Sequence, residues 1–307
     1  MLQLITIVTP GFWPGFAALL QSVADNGVLG NRTVVRWLVI CEQSSAPSKW
    51  LQQRHEAIQL YPLEDLPKVP ILSAQNQGLR MEHALQKLGI FALPSDLGRC
   101  VYLDSDMICL GDLSGLVELP SLSAAYDHLQ LTGELGPLPI VDHVEFNTGV
   151  LAFAPDRAIF EELCAVYREK HSERFHKGDQ DVFYFWAQGR RVNPLGSEWN
   201  FSKRHQDRVG STWIKERLSQ IKFLHFVGAK PWTPNSEINT VRECRYRWME
   251  EIWWDYFEKS GFAAHMENPP HRSTAFIRQW VLPWSKASII KEHAVRARRL
   301  LKKMLHV

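Results

Sequence analysis

The segment Cys100-Val101-Tyr102-Leu103-Asp104-Ser105-Asp106 decides the fold class and gives the first indication of function. Cys100–Leu103 is a short run of apolar and β-forming residues, which is typical of a buried strand. If the chain turns after Leu103, the carboxylates of Asp104 and Asp106 can converge on one point. Converging carboxylates repel unless a cation lies between them, and a hard divalent ion that also holds phosphate oxygens suits such a pair. A simple polar turn after a core strand is the alternative interpretation, and the triplet alone does not decide.

Strand-like and helix-like segments alternate along the chain. Short aliphatic runs bounded by turn residues predict strands, and apolar residues at helical spacing predict helices. The predicted strands are Leu2–Val8, Val34–Ile40, Cys100–Leu103 and Phe146–Phe153, and the predicted helices are Phe16–Ala24, Arg80–Leu93 and Pro155–Lys170. This alternation predicts an α/β domain with a mostly parallel central sheet, whose ligands bind beyond the carboxyl ends of the strands.

Composition indicates an ordinary globular chain. With 307 residues, 45% of them hydrophobic and 22% charged, it can form one large domain or two small ones. Its five cysteines are scattered without a Cys-x-x-Cys pair, which suits a reducing compartment and argues against structural zinc. Neither a signal peptide nor a membrane span is predicted, because no long uninterrupted apolar run is present. These features predict a cytoplasmic protein.

The net charge of +2 is unevenly distributed. Residues 285–307 contain seven basic residues and one acid, so they carry +6 and the rest of the chain −4. This segregation argues against a nucleic-acid-binding protein. Apolar residues recur among the basic ones at near-helical spacing, which predicts a basic amphipathic helix able to lie on an anionic membrane. A helix that docks on its own domain with a charged outer face is the alternative.

Eight of the twelve tryptophans lie from Trp199 onward, and prolines interrupt the chain after Gly261. We predict one catalytic domain over residues 1–262 and a helical appendage over residues 263–307. Aromatic residues at this density usually form core, although an exposed one could stack on acceptor sugars. Trp253 and Trp254 cannot both face inward on one narrow helical stripe, so one of them is expected to be exposed.

Four further segments surround the triplet in a fixed order. One, Lys87-Leu88, precedes it, and three follow it: Phe146-Asn147-Thr148-Gly149-Val150, Gly178-Asp179-Gln180-Asp181 and His225-Phe226-Val227-Gly228-Ala229-Lys230-Pro231-Trp232. Together, over about residues 2–260, these segments resemble glycosyltransferase family 8, which includes glycogenin and the bacterial lipopolysaccharide galactosyl- and glucosyltransferases. The resemblance implies a GT-A fold, with a single Rossmann-like domain that binds a nucleotide sugar. It also implies transfer of a hexose, glucose or galactose, from a UDP-sugar with retention of configuration, using Mn²⁺ or, alternatively, Mg²⁺.

The resemblance also implies roles for individual residues. Asp104 and Asp106 would bind the metal, Asp106 with both oxygens, and His225 resembles the third ligand. Implied donor-binding residues, besides Asp104, are Thr9, Phe12, Lys87, Ser105, Asp127, Gly228 and Lys230. Asn147, Asp179 and Gln180 resemble the catalytic positions around the donor sugar, with Gln180 under the β-face of the anomeric carbon.

Other interpretations stay open for several of these residues. His225 lies in an apolar run and could be a satisfied core histidine. Lys87 could be a solvated helix lysine, and Asp179 or Gln180 could cap a helix.

Two departures from the family pattern concern the nucleotide. Thr9-Pro10-Gly11-Phe12 lacks the polar pair with which relatives hold uracil, so stacking on Phe12 and backbone hydrogen bonds would have to serve. The resemblance therefore implies sugar-nucleotide binding more firmly than uridine specificity. The loop from Gly228 to Lys230 is also one residue shorter than is common, which affects the predicted diphosphate contact of Lys230.

Retention requires either a protein nucleophile below the sugar ring or attack by the acceptor from the side of the leaving group. No carboxylate in the matched segments is an obvious nucleophile, and the amide of Gln180 is a poor one. Same-face attack is therefore expected, with the metal, Lys230 and Lys87 stabilising the charge on the departing UDP. The expected acceptor is a glycan or lipid-linked glycan, reached by a cytoplasmic protein that lies peripherally on the inner face of the plasma membrane.

Three alternative functions compete with this hypothesis. In a haloacid-dehalogenase-type phosphatase a strand also ends in Asp-x-Asp, but there a small pair of residues follows, whereas Met107-Ile108 follows here. A degenerate protein that binds a sugar nucleotide without catalysis is a second alternative. A nucleotidyltransferase is a third, although no glycine-rich phosphate loop opens the chain.

Overall fold

A computed structural model of the chain describes residues 2–26, 34–45, 47, 50–51, 57–69, 79–127, 135, 145–170, 178–190, 192–233 and 244–272. The described strands are β1 Leu2–Val8, β2 Val34–Cys41, β3 Ile58–Pro62, β4 Cys100–Leu103, β5 Met107–Cys109, β6 Ser123–Tyr126, β7 Phe146–Phe153, β8 Asn193–Leu195, β9 Phe201–Ser202 and β10 Phe223–His225. The α-helices with described bounds are α1 Trp13–Asp25, α2 Leu79–Gln86, α3 Arg157–Glu169, α4 Asp179–Ala187, α5 Gln206–Val209, α6 Ser211–Glu216 and α7 Arg247–Lys259.

A seven-stranded sheet lies at the centre of the fold, in the order β3-β2-β1-β4-β7-β6-β8. The pairs β3–β2, β2–β1, β1–β4 and β6–β8 are parallel, and β7 runs antiparallel to β4 and β6. The prediction of an α/β fold with a mostly parallel sheet is confirmed. The Asp-x-Asp triplet follows β4 and so lies at the carboxyl edge, where such sheets bind ligands.

β1 shows why a continuous apolar run forms a central strand. All seven of its residues are buried, and its alternating side chains enter two different cores. Leu4 and Val8 pack into the first core with α1 and α7, whereas Ile5 and Ile7 pack into the second with α3 and α4. Both faces of the sheet are therefore covered, as is usual where strands are parallel.

A second, three-stranded sheet in the order β5-β10-β9 carries His225 to the triplet. Antiparallel pairing of β10 with β5 sets His225 opposite Met107, the residue after Asp106. On its other side, β10 pairs in parallel with β9, so that His225 lies opposite Ser202. The amide of Phe226 also donates a hydrogen bond to the carbonyl oxygen of Asp106, at 3.0 Å.

The predicted helix over Arg80–Leu93 is shorter in the structure, because α2 ends at Gln86 and a 3₁₀ helix, Lys87–Ala92, continues it. Gly89 explains the change. Glycine disfavours the α-helix, and a Cβ at this position would collide with the carbonyl oxygen of Pro67, so the backbone packs directly on that carbonyl. The other predicted helices and all four predicted strands agree with the structure to within three residues at each end.

The expectation that Trp253 or Trp254 is exposed is wrong, because both are buried in α7. Trp253 stacks on Trp232 with ring centres 5.2 Å apart and on Phe257 at 4.9 Å. Trp254 meets Phe257 edge-on at 5.7 Å. α7 packs against α1 and also against the 3₁₀ helix that follows it, Phe262–His265, so its buried face is wider than a single stripe.

The predicted basic amphipathic helix lies outside the described residues, as does most of the predicted appendage, since residues 273–307 are not among them. The domain boundary at residue 262 stays a prediction. Within the described part of the chain, no helix has the length and apolar character needed to cross a bilayer.

Candidate active site

The three predicted metal ligands meet at the carboxyl end of β4. Asp104 and Asp106 follow that strand directly and His225 ends β10, and one ligand atom from each residue lies within 4.8 Å of the others. Nε2 of His225 is 3.2 Å from Oδ1 of Asp106 and 3.7 Å from Oδ2 of Asp104. Asp106 and His225 are buried, whereas Asp104 is partly exposed. We call these three residues the metal cluster.

Lys230 contacts the metal cluster through Asp106. Its Nζ donates hydrogen bonds to Oδ2 of Asp106 and, at 3.0 Å, to the carbonyl oxygen of Phe226. Burial by itself raises the pKa of Asp106, but Lys230 and His225 more than offset this and hold the pKa well below its usual range. Asp106 is therefore a carboxylate throughout the physiological pH range. Lys230 therefore reaches the metal cluster, although the loop from Gly228 is short.

A second group of charged residues adjoins the metal cluster where β7 faces β4. Nζ of Lys87 lies 3.0 Å from Oδ1 of Asp104, 3.0 Å from Oγ1 of Thr148 and 3.2 Å from Oδ2 of Asp179. These contacts use all three N–H groups of the ammonium, and Lys87 is buried, so it is not a solvated helix lysine. Thr148 donates its hydroxyl hydrogen to Oδ2 of Asp179. We call Lys87, Thr148 and Asp179 the lysine cluster.

Charges in the lysine cluster compensate each other. Burial by itself lowers the pKa of Lys87, but Asp104 and Asp179 raise it, and the net pKa lies above its usual value. Burial raises the pKa of Asp179, and Lys87 offsets only part of that rise. Tyr102 donates to Oδ1 of Asp104 at 2.9 Å, and burial together with Asp104 raises its pKa well above the usual range. Tyr102 is therefore a neutral hydrogen-bond donor here.

Asp179 and Gln180 begin α4, but the capping interpretation is wrong. Gly178 occupies the N-cap position, and it has no side chain with which to cap the helix. The carboxylate of Asp179 instead joins the lysine cluster. Nε2 of Gln180 donates to the carbonyl oxygen of Phe146 at 3.1 Å and to Oδ2 of Asp127 at 3.3 Å. Gln180 and the buried Asp127 therefore form a pair at the start of β7.

Asn147 is connected to the metal cluster through Asn200. Nδ2 of Asn200 donates to Oδ1 of Asn147 at 2.8 Å, and Oδ1 of Asn200 lies 2.8 Å from Nδ1 of His225. Oδ1 of Asn147 also accepts from the amide of Gly149 at 2.9 Å. A Cβ at Gly149 would lie 2.6 Å from Cε1 of the His225 ring, so glycine is needed for the ring to approach β7.

Phe12, the predicted stacking residue, lies beside Lys230. Nζ of Lys230 is 5.6 Å from the centre of the Phe12 ring, a cation–π distance. Trp232 meets Phe12 edge-on at 5.7 Å and donates from Nε1 to the carbonyl oxygen of Gly11 at 2.9 Å. The loop after β10 therefore packs against the loop after β1.

Thr9, Ser105 and Gly228 act through their backbone in this structure. The carbonyl oxygen of Thr9 accepts from the amide of Phe12 at 2.8 Å, and that of buried Ser105 packs against α1. Gly228 has φ of +87°, and a Cβ there would collide with the guanidinium of Arg204. Among the described residues, neither the Thr9 nor the Ser105 side chain hydrogen-bonds to either cluster, and Gly228 has no side chain.

Tyr102, Thr148, Gly149 and Asn200 are site residues that the sequence reasoning missed. Tyr102 is two positions before Asp104, so strand alternation could have placed both on one face. Thr148 and Gly149 lie inside a matched segment. Asn200 carries no signal of its own, because the strand that follows it has only two residues.

The donor set of the metal cluster fits a divalent cation. Two carboxylates supply hard oxygen ligands, and His225 adds the ring nitrogen Nε2. The other ring nitrogen, Nδ1, is already hydrogen-bonded to Asn200. The cluster is mostly buried, and two neighbouring carboxylates would otherwise repel each other.

The sequence comparison identifies the family. A model of glycosyl transferase family 8 matches residues 12–236. The chain belongs to glycosyl transferase family 8. This membership disfavours the phosphatase and nucleotidyltransferase alternatives.

Family 8 relatives with curated names share low identity with this chain. Glycogenin-1 of Oryctolagus cuniculus is 28% identical over 189 residues, which cover 57% of this chain and 52% of the relative. UDP-glucuronate:xylan alpha-glucuronosyltransferase 2 of Arabidopsis thaliana is 24% identical over 156 residues, which cover 49% of this chain and 23% of the relative. The chain therefore spans about half the length, or less, of these relatives.

Among solved structures, the galactosyltransferase LgtC in complex with donor and acceptor sugar analogues matches with a TM-score of 0.58 and 16% identity. The match covers 86% of this chain and 100% of that one. At this identity the likeness concerns the fold, and it confirms the predicted GT-A fold.

Proposed function

We propose that this protein is a retaining, manganese-dependent glycosyltransferase that moves a hexose, glucose or galactose, from a UDP-sugar to a glycan or a lipid-linked glycan. The observation that supports this most strongly is the metal cluster, held between Lys230 and the lysine cluster at the carboxyl edge of the sheet. Family membership supports the reaction type. The choice of hexose and acceptor, and the use of manganese, go beyond what the metal cluster and the family membership support.

Asp104, Asp106 and His225 would hold the metal. A mixture of two carboxylates and one imidazole favours Mn²⁺, because Mg²⁺ prefers ligands that are all oxygen. When bound, the ion supplies Lewis-acid stabilisation of the negative charge on the diphosphate. Lys87 donates a hydrogen bond to Oδ1 of Asp104, which leaves Oδ2 facing His225.

Lys230 would stabilise the leaving diphosphate from the protein side. Its ammonium is partly exposed and lies against Asp106 and the Phe12 ring, between the carboxylates and the proposed platform for the base. The positive φ of Gly228 shapes the loop that delivers it. An ammonium fixed where negative charge develops lowers the barrier without delivering a proton.

The donor sugar would be oriented by Asn147, Asp179 and the Gln180–Asp127 pair. Both N–H groups of Gln180 are accounted for by acceptors in the protein, which leaves its Oε1 as the end that accepts no hydrogen bond among the described residues. An amide oxygen is a weak nucleophile, which supports attack by the acceptor itself. The bond from the anomeric carbon to the diphosphate breaks with its electrons on the phosphate oxygen. The acceptor hydroxyl forms the new bond from the same face and passes its proton to that oxygen.

Phe12 would stack on the base, with backbone groups around Thr9 and Ser105 available to the polar edge of the base.

Besides the donor, we propose two partners: an acceptor glycan and, through residues 285–307, an anionic membrane surface. The protein would then be cytoplasmic and peripheral to the membrane. Flotation with anionic vesicles of the full chain and of a chain ending at residue 284 tests the membrane part. Equal partitioning of the two forms would refute it.

The reaction is tested with UDP-glucose, UDP-galactose and UDP-glucuronate, each incubated with the protein and Mn²⁺ or EDTA. We expect Mn²⁺-dependent release of UDP from either UDP-glucose or UDP-galactose. NMR of the released sugar or of the transfer product should show that the α-configuration of the donor is retained. Preference for UDP-glucuronate would correct the sugar while preserving the reaction class. UDP binding without turnover of any donor would favour the degenerate alternative.

A further inference from the structure

Asn200 is a buried amide that joins two parts of the site. It lies directly before β9, and the parallel pairing of β9 with β10 brings it beside His225. Its Oδ1 lies 2.8 Å from Nδ1 of His225, and its Nδ2 lies 2.8 Å from Oδ1 and 3.3 Å from the carbonyl oxygen of Asn147. None of the family segments identified in the sequence contains Asn200.

The direction of these hydrogen bonds determines which ring nitrogen of His225 carries a hydrogen. Because Nδ2 of Asn200 faces two oxygens of Asn147, Oδ1 is the atom turned toward the imidazole. An amide oxygen only accepts, so Nδ1 of His225 must carry a hydrogen. In a neutral imidazole the lone pair then belongs to Nε2, which is the atom that faces Asp104 and Asp106.

Gly149 completes the arrangement around Asn200. The Gly149 amide donates to the same Oδ1 of Asn147 that accepts from Asn200. A Cβ on Gly149 would press on both His225 and that oxygen, at 2.6 Å and 2.9 Å. The backbone of β7 therefore fixes Asn147, which fixes Asn200, which in turn fixes the ring of His225.

We infer that Asn200 is a positioning residue with two separable tasks: its oxygen sets the His225 tautomer that can bind a cation through Nε2, and its amide nitrogen holds the side chain of Asn147 toward the donor sugar. The inference rests on the proposed function, since it concerns the proposed metal ligand and sugar site. It adds a physical connection, so that the metal and the sugar are bound by one hydrogen-bonded unit.

Two substitutions separate the tasks. Asn200→Ala removes both hydrogen bonds, whereas Asn200→Asp keeps an oxygen for Nδ1–H of His225 but cannot donate to Asn147. Asn193→Ala is the matched control, because Asn193 is a strand asparagine whose Nδ2 donates to backbone carbonyls of Ser121 and Leu122, away from the site.

Two measurements on the full chain test the inference. Mn²⁺ is titrated with and without UDP, and the free ion is measured by EPR. The tautomer of His225 is measured by ¹⁵N NMR of metal-free, histidine-labelled protein, in which the hydrogen on Nδ1 is detected directly, with His225→Gln used to assign the signal.

We expect Asn200→Ala to weaken Mn²⁺ binding about 10- to 100-fold, the usual effect of removing the partner of a metal-binding histidine, and to lose the Nδ1–H tautomer. Asn200→Asp should keep the tautomer and bind Mn²⁺ within about threefold of wild type, yet still lose donor turnover. Asn193→Ala should change Mn²⁺ binding less than about twofold, as expected for a distant, independent site.

Unchanged tautomer and Mn²⁺ affinity in Asn200→Ala would overturn the inference, and so would equal losses of affinity in the Ala and Asp variants. If Asn200→Ala does not fold, Asn200→Asp decides: a retained tautomer supports the inference, and a lost one contradicts it. If the wild type itself binds no Mn²⁺ with or without UDP, the proposed metal dependence fails. The tautomer measurement still decides the role of Asn200 in that case.

Discussion

The metal cluster and the lysine cluster meet at Asp104, which belongs to the first and contacts Lys87 of the second, but they differ in how their charges are balanced. Oδ1 of Asp104 faces Lys87, whereas Oδ2 faces His225. In the lysine cluster, the ammonium of Lys87 compensates Asp179 and part of Asp104 at distances of 3.0–3.2 Å. In the metal cluster, two carboxylates face a histidine and a single partly exposed lysine, Lys230.

This difference indicates that the charges of the lysine cluster are structural, whereas those of the metal cluster are open to a ligand. Among the residues that the structure describes, three carboxylates (Asp104, Asp106 and Asp179) face two lysines (Lys87 and Lys230), which leaves one negative charge when His225 is neutral. In the lysine cluster, the protein itself supplies the counter-ion of Asp179, as a buried carboxylate requires. The excess is next to His225, where an added divalent cation would offset it and leave a net positive charge for the diphosphate. The comparison predicts that changes in the metal cluster mainly reduce catalysis, while loss of Lys87 mainly reduces stability.

Asp106→Asn should have the largest effect on activity. It removes one carboxylate of the metal cluster while keeping the shape of the side chain. Metal-supplied stabilisation of a leaving group is worth several kcal/mol, so we expect donor turnover to fall by about a thousandfold or more. Mn²⁺-dependent release of UDP, measured on both proteins, checks this.

Asp112→Asn is the matched control for that experiment. The Asp112 carboxylate is exposed and contacts Ser114, outside both clusters. Its turnover should stay within about twofold of wild type, since an exposed polar substitution has little effect elsewhere. Near-normal turnover in Asp106→Asn would break the distinction between the clusters.

Lys87→Met should have the largest effect on stability. It leaves Asp104 and Asp179 without their buried counter-ion, and both Lys87 and Asp179 have side chains only 9% exposed. Removing one partner of a buried pair costs about 3–5 kcal/mol of unfolding free energy. Urea denaturation measures this loss, and a second substitution, Asp179→Asn, should restore part of it by removing one unpaired charge.

Lys259→Met is the control for the lysine substitution. Lys259 pairs with Asp25 at 3.4 Å, but its side chain is 60% exposed, so the pair is screened by water. We expect a loss of less than about 1 kcal/mol. A similar loss in both lysine variants would show that burial does not distinguish the two pairs.

The strands that carry these clusters could be predicted well from sequence, because each is a continuous apolar run between turn residues. β1, β4 and β7 have the predicted bounds. The carboxylates after β4 were found from the residues themselves, whereas the role of His225 came from a family resemblance. Its apolar surroundings fit a core histidine equally well, and only the pairing of β10 with β5 separates the two interpretations.

Other parts of the site depend on contacts that sequence periodicity does not carry. Lys87 begins a 3₁₀ helix and is buried against Asp104, Thr148 and Asp179, which are distant in sequence. Asn200 precedes a two-residue strand, which is too short for a periodic signal. Trp254 is buried because α7 is covered on two sides, which depends on where distant helices pack.

Gly149→Ala tests how the metal cluster depends on β7. The new Cβ would lie 2.6 Å from Cε1 and 2.8 Å from Nδ1 of His225, so the ring must shift. Overpacking of this kind costs about 1–3 kcal/mol, and we expect Mn²⁺ affinity to fall about tenfold.

Gly111→Ala is the control for the glycine substitution. A Cβ there would meet a lysine side chain at 3.4 Å, an ordinary contact, and should leave Mn²⁺ affinity unchanged. An equally unchanged affinity in Gly149→Ala would show that the ring of His225 tolerates displacement.

Asp179→Asn should have the smallest effect on stability, because Lys87 keeps Asp104 as its counter-ion, and the size of the effect should depend on pH. Burial raises the pKa of Asp179, and a group with a raised folded pKa adds stability at low pH that is lost as the pH rises through that pKa. Ionised Asp179 therefore costs folding free energy at neutral pH, and the substitution removes that cost. Relative to wild type, the unfolding free energy of Asp179→Asn should increase as the pH rises from the ordinary aspartate pKa toward neutral, as measured by urea denaturation at several pH values. Asp112→Asn should show the opposite slope, because hydrogen bonds from Ser114 lower the pKa of Asp112. A pH-independent difference between Asp179→Asn and wild type would mean that Lys87 compensates Asp179 fully. The ionised carboxylate of Asp179 would then carry no cost in folding free energy.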